Sequence, residues 1–266
     1  MAKGLFDLSG KVAVITGGNG GLGLGFATGI AKQGGTVVIW GRNAEKNAEA
    51  VATLEALGGG GKVRAAQVDV SSEQAIKDGF KAVMDEFGRV DCAIANAGPP
   101  PAHSSMFDIS TENYHKFLAT ALHGSFFTLR EAARCMVQRA EAGEKGGSLI
   151  FCGSLSMFQG LPGKQDYAGS KGALGAMVRG MAVELAKYGI RANTVAPGLT
   201  RTNIGGSENP QHDAMYKHFA SKIPMGRVGA IEDFEGIAAY LCSDASSWHS
   251  GDTIVIDGAD LVKLGY

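Results

Sequence analysis

The segment 11–25, KVAVITGGNGGLGLG, constrains the fold most, because a short apolar run in it ends in a cluster of glycines. Residues 12–15 are consecutively apolar and mostly β-branched, which is typical of a strand buried on both faces of a parallel sheet. Residues 26–32 then have the apolar spacing of a helix. Such a strand–turn–helix lets bare backbone N–H groups and the positive helix end approach an anion. The segment therefore predicts a pyrophosphate site.

The glycines of this segment fit two dinucleotide-binding patterns. These are Gly18-x-Gly20-x-x-Gly23, the general pattern, and Thr16-Gly17-x-x-x-Gly21-x-Gly23. The alternative interpretation is a glycine-rich turn that only lets the strand and the helix pack closely. On this segment alone, both interpretations stay open.

The composition argues against several classes of protein. With 266 residues, 45% of them hydrophobic, the chain can bury a large core. The formal net charge of -1 and the lack of a basic block argue against a nucleic-acid partner. No apolar run reaches the roughly 18 residues of a membrane span, and the first strand begins too early to leave room for a signal peptide. We therefore expect a cytoplasmic protein with no membrane contact.

Neither the cysteines nor the histidines have metal-ligand spacing. Cys92, Cys135, Cys152 and Cys242 are far apart in sequence and form no C-x-x-C pair, which favours reduced thiols over disulfides or a zinc site. The 6 histidines form no H-x-x-x-H pair, so we expect no structural metal.

Strand and helix patterns alternate along the chain. Predicted strands cover 12–15, 36–40, 63–68, 90–95, 148–152, 191–195 and 253–256, and predicted helices cover 44–57, 74–87, 111–140 and 167–188. This alternation predicts an α/β fold: a doubly wound parallel sheet with helices on both faces, in three α/β/α layers. No linker, repeat or composition shift divides the chain, so residues 1–266 are predicted as one domain. Ligands should bind at the carboxyl ends of the strands.

Arg42 follows the second predicted strand, where folds of this kind meet the adenosine ribose. An acidic residue there would bond the 2′-hydroxyl and repel a 2′-phosphate, whereas a guanidinium pairs with phosphate. The segment Gly41-Arg42-Asn43 contains no carboxylate. We therefore expect NADP(H), with NAD(H) as the alternative. Arg42 as a solvated turn residue is the non-functional interpretation, and Asn19 stands where a second basic residue would help.

Tyr167 and Lys171 are four residues apart at the head of a predicted helix, so their side chains lie on one face. A free tyrosine ionises near pH ~10, too high for efficient proton exchange at neutral pH. An ammonium about 4 Å away at an effective dielectric of about 20 favours the phenolate by ~4 kcal/mol, or roughly three pKa units. The alternative is a solvated pair without function. The position after the fifth predicted strand, at the same sheet edge as the glycine turn, favours the functional interpretation.

Five motifs in order resemble the classical short-chain dehydrogenases/reductases. They are Thr16-Gly17-x-x-x-Gly21-x-Gly23, Asn96-Ala97-Gly98, Ser154 thirteen residues before Tyr167, Tyr167-x-x-x-Lys171 and Pro197-Gly198. The resemblance runs nearly end to end, and the opening segment is similar to sugar-acid dehydrogenases and 3-oxoacyl reductases. It implies a Rossmann fold and hydride transfer between a nicotinamide cofactor and a carbonyl or secondary alcohol.

The resemblance also implies a role for each matching side chain. Tyr167 would be the general acid in reduction, and Lys171 would lower its pKa and hydrogen-bond the nicotinamide ribose. Ser154 would hold the substrate oxygen; Ser156 competes for this role, but Ser154 has the family spacing. A hydrolase role for Ser154 is excluded because the G-x-S-x-G elbow is absent.

The same resemblance implies the cofactor contacts. Those at the pyrophosphate would be Gly17, Gly21, Leu22 and Gly23, with Asn19 in the same turn and Arg42 at the adenosine ribose. Asp69 and Val70 would meet the adenine, and Asn96, Ala97 and Gly98 would stabilise the sheet and floor the adenosine side. Pro197, Gly198, Thr200 and Thr202 would meet the nicotinamide carboxamide and the phosphates.

Two positions depart from the family pattern. Ala95 replaces the first asparagine of the usual Asn-Asn-Ala-Gly, a minor change. Ala121 stands where a catalytic asparagine usually completes the proton relay, and alanine cannot hold a relay water through its side chain. His123 points to the opposite side of a helix, and Ser125 is the better substitute. We therefore expect a relay carried by backbone and water alone, or reduced turnover.

Three segments are expected to close over the substrate: 99–107, 155–165 and 203–223. Apolar side chains on them are Met157, Phe158, Met215, Tyr216 and Phe219, for which ordinary packing is the alternative role. A lid over 203–223, with Gly205-Gly206 as its hinge, suits a small or medium carbonyl or alcohol. No cluster of cations indicates a strongly anionic substrate. Family members are usually tetramers, so the resemblance implies a homo-oligomer.

Two other functions remain to be weighed. A dinucleotide-binding module without catalysis is encouraged by Ala121 and predicts cofactor binding without turnover. A nucleotide-sugar epimerase or dehydratase would use the same Tyr167 and Lys171, but it would need a longer chain and a different glycine spacing. The favoured hypothesis is a carbonyl reductase or alcohol dehydrogenase.

Overall fold

The computed structural model describes residues 4–202 and 210–264. For residues 210–212 it describes the backbone alone. Seven parallel strands form one sheet in the order β3-β2-β1-β4-β5-β6-β7. The strands are β1 Val12–Thr16, β2 Thr36–Trp40, β3 Val63–Ala66, β4 Cys92–Ala95, β5 Gly147–Cys152, β6 Ile190–Pro197 and β7 Thr253–Ile256. The predicted doubly wound parallel sheet in a single domain is confirmed.

Helices cover both faces of this sheet. They are α1 Gly21–Lys32, α2 Ala44–Glu55, α3 Glu73–Phe87, α4 Thr111–Leu118, α5 Ser125–Glu141, α6 Gln165–Leu185, α7 Pro210–Ala220 and α8 Glu235–Cys242. Helix α3 is capped by Ser72, whose side chain accepts a hydrogen bond from the Ala75 N–H. None of the helices in the described ranges is long and apolar enough to cross a membrane.

The strand order places the switch point of the sheet between β1 and β4. The chain runs outward from β1 to β3, then returns to the other side of β1 to form β4. Connections on the two sides of this point diverge, so a crevice opens beyond the carboxyl ends of β1 and β4. The glycine turn after β1 and the segment after β4 face this crevice.

Successive side chains along the strands pack alternately into two cores, one on each face of the sheet. Val14 and Val38 pack into one core, while their neighbours Ile15 and Ile39 pack into the other. All four are at most 4% exposed. This double burial explains why the strand sequences are apolar without alternation.

One predicted helix differs from the structure. The continuous helix expected over 111–140 is α4 and α5 joined by a π-helical segment, Ala119–Gly124. Its last residue, Gly124, lies so close to the backbone after β3 that a Cβ there would be 2.4 Å from the Val70 carbonyl oxygen. Side-chain periodicity does not reveal such a local widening, which often occurs at functional sites.

Candidate active site

The glycine turn after β1 is built around backbone contacts that a side chain would block. Gly17 has a positive φ of 64°, which favours glycine. A Cβ on Gly23 would be 2.1 Å from the Gly17 carbonyl oxygen and 2.6 Å from Asn96 Nδ2. Glycine at these two positions is therefore a steric requirement of the turn.

The N-terminus of α1 fits an anionic pyrophosphate. Gly20 precedes the helix without a side-chain cap, and the first turn carries no acidic residue. A Cβ on Gly20 would meet no atom within 4 Å, so the space above the turn is open. The uncapped N–H groups and the positive helix end face this space. Gly21 and Leu22 open the helix, and Gly21 has a positive φ of 51°.

Asn96 ties the glycine turn to the end of β4. Its Nδ2 donates to the carbonyl oxygens of Thr16 at 3.1 Å and Gly17 at 3.3 Å. The backbone N–H groups of Asn96 and Ala97 both donate to Thr16 Oγ1, each at 3.0 Å. These bonds agree with the sheet-stabilising role expected for Asn96. Gly98 follows Ala97. A Cβ placed on Gly98 would lie 4.0 Å from the Ala121 Cβ.

Asn19 joins the glycine turn to helix α2. Its Nδ2 donates to Asn47 Oδ1 at 2.7 Å, and Asn47 Nδ2 donates to the Gly41 carbonyl at 3.0 Å. Asn47 lies on α2 and is 4% exposed, so this amide pair is buried at its inner end. The pair fixes the turn against the end of β2, the place expected for the adenosine ribose.

Arg42 and Asp69 follow β2 and β3 at the same edge of the sheet. Asp69 accepts hydrogen bonds from the backbone and side chain of Ser71, and the Arg42 charge is close enough to contribute. All three interactions hold the pKa of Asp69 below its usual value, the backbone bond from Ser71 most of all. Arg42, which has no carboxylate beside it in sequence, therefore lies within electrostatic range of one in space, without forming an ion pair with it. Val70 is buried next to Asp69.

Tyr167 and Ser154 meet at the carboxyl end of β5. Tyr167 lies in the first turn of α6, and the Ser154 side chain is close enough to its hydroxyl to lower its pKa. Ser154 caps the 3-10 turn Leu155–Met157, where its Oγ accepts from the Ser156 N–H at 3.1 Å. The Ser156 hydroxyl is buried and bonds to no described group. The structure thus brings Ser154, and not its competitor, to the tyrosine hydroxyl.

The direction of the Tyr167 pKa differs from the prediction. Burial raises this pKa above its ordinary value, and the nearby Ser154 side chain only partly offsets the rise. Lys171, expected to lower it, instead donates from Nζ to the Cys152 carbonyl at 2.6 Å. Its Nζ lies 5.7 Å from the Tyr167 ring centroid. Burial also lowers the pKa of Lys171, because both groups lie inside the protein where charge is poorly solvated.

Phe117 packs against Tyr167 from α4, and Ala121 follows it one helical turn later. The Phe117 and Tyr167 ring centroids are 6.3 Å apart at an interplanar angle of 73°, an edge-on contact. Ala121 is 2% exposed and lies within the π-helical segment. The alanine in the relay position is therefore a buried, packed residue that faces the interior of the protein.

The segment after β6 is braced against β7 and a neighbouring turn. The Gly198 N–H donates to the Ile256 carbonyl at 2.9 Å, and Thr200 Oγ1 donates to the Gly198 carbonyl at 3.0 Å. Thr200 also pairs with Gly229 in an isolated bridge. Pro197 is the last residue of β6, and Thr202 ends this described stretch of the chain, partly exposed. These residues lie at the carboxyl edge of the sheet, as predicted.

Comparison with known proteins decides the family. A family model described as enoyl-(acyl carrier protein) reductase matches residues 17–258. The chain is 35% identical to 3beta-hydroxysteroid dehydrogenase 1 of Eggerthella lenta, over 98% of this chain and 97% of that protein. It is a classical short-chain dehydrogenase/reductase.

Two further proteins support the assignment of this chain to the short-chain dehydrogenase/reductase family. It is 34% identical to the NADP-dependent (R)-specific alcohol dehydrogenase of Lentilactobacillus kefiri, over 94% of this chain and 96% of that protein. The crystal structure of a short-chain type dehydrogenase/reductase from Mycobacterium marinum matches with a TM-score of 0.88 at 33% identity, covering 97% of this chain and 98% of that one. The chain is thus an NAD(P)-dependent oxidoreductase.

Part of the expected lid of this short-chain dehydrogenase/reductase lies outside the described residues. The Gly205-Gly206 hinge and the start of the segment 203–223 belong to that part. The described part of α7 is held at Arg201, whose guanidinium pairs with Asp213 and lies 5.1 Å from the Tyr216 ring centroid.

Three residues that build the site were not predicted from the sequence. Asn47 and Phe117 contact the site from other elements, and Asp166, 2% exposed, accepts from the Tyr167 N–H at 2.8 Å. A signal was present for Asp166, since an acidic residue in the first turn commonly stabilises a helix. The contacts of the other two depend on residues distant in sequence.

Proposed function

We propose that this chain interconverts a ketone or aldehyde and the corresponding alcohol with NADP(H), using Tyr167 as the general acid/base. The observation that carries the proposal is that the Ser154 side chain lies close enough to the Tyr167 hydroxyl to lower its pKa, at the same sheet edge as the open glycine turn. Two hydroxyls so placed can hold one substrate oxygen between them.

Each side chain has a separate task in this mechanism. NADPH, when bound, supplies the hydride that reduces the carbonyl carbon. The Ser154 hydroxyl donates to the carbonyl oxygen while negative charge develops on it. Tyr167 releases its proton to this oxygen, so that the C=O group becomes CH–OH, and oxidation of the alcohol runs in reverse. Lys171 stabilises the resulting phenolate, and when it is charged, water screens this interaction little because the ammonium is buried.

The preference for NADP(H) over NAD(H) rests on Arg42. It lies at the end of β2, the position that meets the adenosine ribose in folds of this kind. Its guanidinium would pair with the 2′-phosphate. The remaining contacts are those expected above, with Gly17, Gly21, Leu22 and Gly23 at the pyrophosphate and Asn19 in the same turn. A homotetramer and a cytoplasmic location complete the proposal by analogy with the family.

The competing function is a dinucleotide-binding module without turnover. Two observations favour it: Ala121 occupies the relay position, and burial raises the Tyr167 pKa. It predicts that the purified protein binds NADPH and consumes none with any carbonyl compound.

One experiment separates the two functions. NADPH and NADH are first titrated by fluorescence, then loss of NADPH absorbance is followed with ketones and formation of NADPH with secondary alcohols. We expect tighter binding of NADPH and substrate-dependent turnover that disappears in Tyr167→Phe. Binding without turnover on the whole panel would establish the module instead.

A further inference from the structure

Large apolar side chains are exposed on the segments that leave the carboxyl ends of β4 and β5. Met106 and Phe107 follow β4 and are 57% and 89% exposed, and Phe158 and Leu161 follow β5 with 52% and 42% exposed. Exposed apolar side chains cost free energy in water unless something covers them. Because carboxyl ends of parallel strands meet at one edge, these segments lie at the edge that carries Tyr167.

Direct contacts hold these two segments together. A Cβ on Gly163, whose φ is +70°, would be 2.5 Å from the backbone of the segment 103–105. Lys164 donates to the His103 carbonyl in the same segment. The turn Met106–Asp108 follows at once and is fixed by a capping box. The apolar side chains after β4 are therefore anchored beside the stretch that leads directly into Tyr167.

The cations around this edge are bonded to the protein itself. The Lys164 ammonium donates to a backbone carbonyl, Arg201 pairs with Asp213, and Arg227 pairs with Asp233 through two hydrogen bonds of 2.6 and 2.7 Å. Because these three cations are already paired within the protein, they are poor partners for a carboxylate or phosphate of a substrate. Four large apolar side chains, by contrast, are exposed on the segments after β4 and β5.

Resting on the proposed function, we propose that the substrate carries a bulky apolar group, a fused ring system or a long alkyl chain, next to the reacting carbon. The Met106, Phe107, Phe158 and Leu161 side chains cover this group when the carbonyl oxygen is bonded to Ser154 and Tyr167. Polyhydroxylated sugars and sugar acids are poor substrates, because their hydroxyls would lose water against these side chains without gaining hydrogen bonds.

The substrate, rather than a second copy of the chain, is the occupant that the positions favour. These apolar residues lie on the segments that follow β4 and β5, and the segment after β5 carries Ser154 and leads into Tyr167, so a substrate bonded there can extend onto them. Trp248, which is 98% exposed, precedes β7 at the opposite edge of the sheet and serves as a matched control.

The first test is a series of methyl ketones of increasing chain length, a fused-ring ketone and the polyol acid gluconate, each with NADP(H). We expect kcat/KM to rise about threefold to fourfold per added methylene, as burial of a CH₂ group predicts. A flat series, or faster turnover of gluconate than of every apolar probe, would overturn the inference while the proposed function stands. Absence of turnover with every probe, together with intact NADPH binding, would refute the proposed function and this inference with it.

The second test assigns the effect to the named side chains. The double variant Phe107→Ser, Phe158→Ser should raise KM for the longest ketone roughly tenfold, in the range found for changes in apolar pocket contacts. The shortest ketone and NADPH affinity should be unchanged, and Trp248→Ser should leave all three unchanged. If the double variant instead changes the elution volume in size-exclusion chromatography and leaves KM unchanged, these side chains contact another copy of the chain and the inference is wrong.

Discussion

Lys171 donates from Nζ to the carbonyl oxygen of Cys152 across 2.6 Å, which holds a charged group inside the protein at the end of β5. The same Nζ lies 4.8 Å from the centroid of the Phe151 ring. Burial lowers the Lys171 pKa, so the fold works against the charge that the proposed chemistry uses. This conflict makes activity and stability separable by mutation.

Lys171→Met should lose activity and gain stability. We expect kcat/KM to fall about 100-fold or more and Tm at neutral pH to rise by about 2–4 °C, the shift that ~1 kcal/mol produces in a chain of this size. The Lys171 pKa is lower in the folded than in the unfolded chain, so wild-type stability rises with pH between the two values. The Tm advantage of the variant should therefore shrink as the pH approaches ~10.4. Calorimetry across pH checks this, and a gap independent of pH would contradict it.

Ser154→Ala should slow the reaction, whereas Ser156→Ala should not. Ser154 lies close to the Tyr167 hydroxyl and opposes the rise in its pKa, so its loss should lower kcat about 100-fold and raise the pKa seen in the pH–rate profile. The Ser156 hydroxyl is buried without a bonding partner among the described groups, and its removal should be neutral or slightly stabilising. Equal loss of activity in both variants would argue against the assignment of Ser154.

Ala121→Asn should raise turnover if the missing relay amide limits the rate. The buried Ala121 Cβ lies near Gly98, the residue after β4 that is expected to contact the cofactor, so an asparagine there would place an amide close to the proposed site, where it can hold a water. We expect kcat to rise several-fold with unchanged NADPH affinity. Ala121→Leu has the same branching without the amide and should give no gain. Stopped-flow measurement of the hydride-transfer step distinguishes the two variants, and a decrease in both would show that the packing there tolerates no larger side chain.

Arg42→Ala should reduce the preference for NADPH. Loss of a charge-assisted contact to a phosphate should weaken NADPH binding about tenfold or more, with little change for NADH. Arg64→Ala is the matched control, because Arg64 is an exposed arginine that pairs with Glu86 at 2.9 Å on the edge strand β3. Isothermal titration with both cofactors tests this, and parallel losses for NADPH and NADH would reject the 2′-phosphate contact.

Two glycine variants separate the fold of the turn from the ligand above it. Gly23→Ala places a Cβ 2.1 Å from the Gly17 carbonyl oxygen and should lower Tm. Gly20→Ala meets no protein atom within 4 Å, so Tm should be unchanged while NADPH affinity falls, because the new methyl occupies the space proposed for the pyrophosphate. Gly236→Ala, equally open but remote on α8, should leave affinity unchanged. Unchanged NADPH affinity in Gly20→Ala would place the pyrophosphate elsewhere.

Structural features that depend on residues close together in sequence could be predicted from the sequence. The apolar run 12–15, the glycines after it and the spacing of Tyr167 and Lys171 determined the strand, the turn and a shared helix face, because backbone preference and side-chain periodicity are local properties. The alternation of such segments was enough to determine a parallel sheet with its site at the carboxyl ends. The five motifs in order then identified the family.

Contacts between residues distant in sequence were decided only by the tertiary structure. Asn19 reaches Asn47 across 28 positions, and Lys171 reaches the Cys152 carbonyl across 19. The direction of the Tyr167 pKa was decided in the same way, because desolvation depends on every group packed around the hydroxyl and not on the one ammonium a turn away. Spacing along the helix established that Tyr167 and Lys171 share a face, and packing alone decided what each of them bonds.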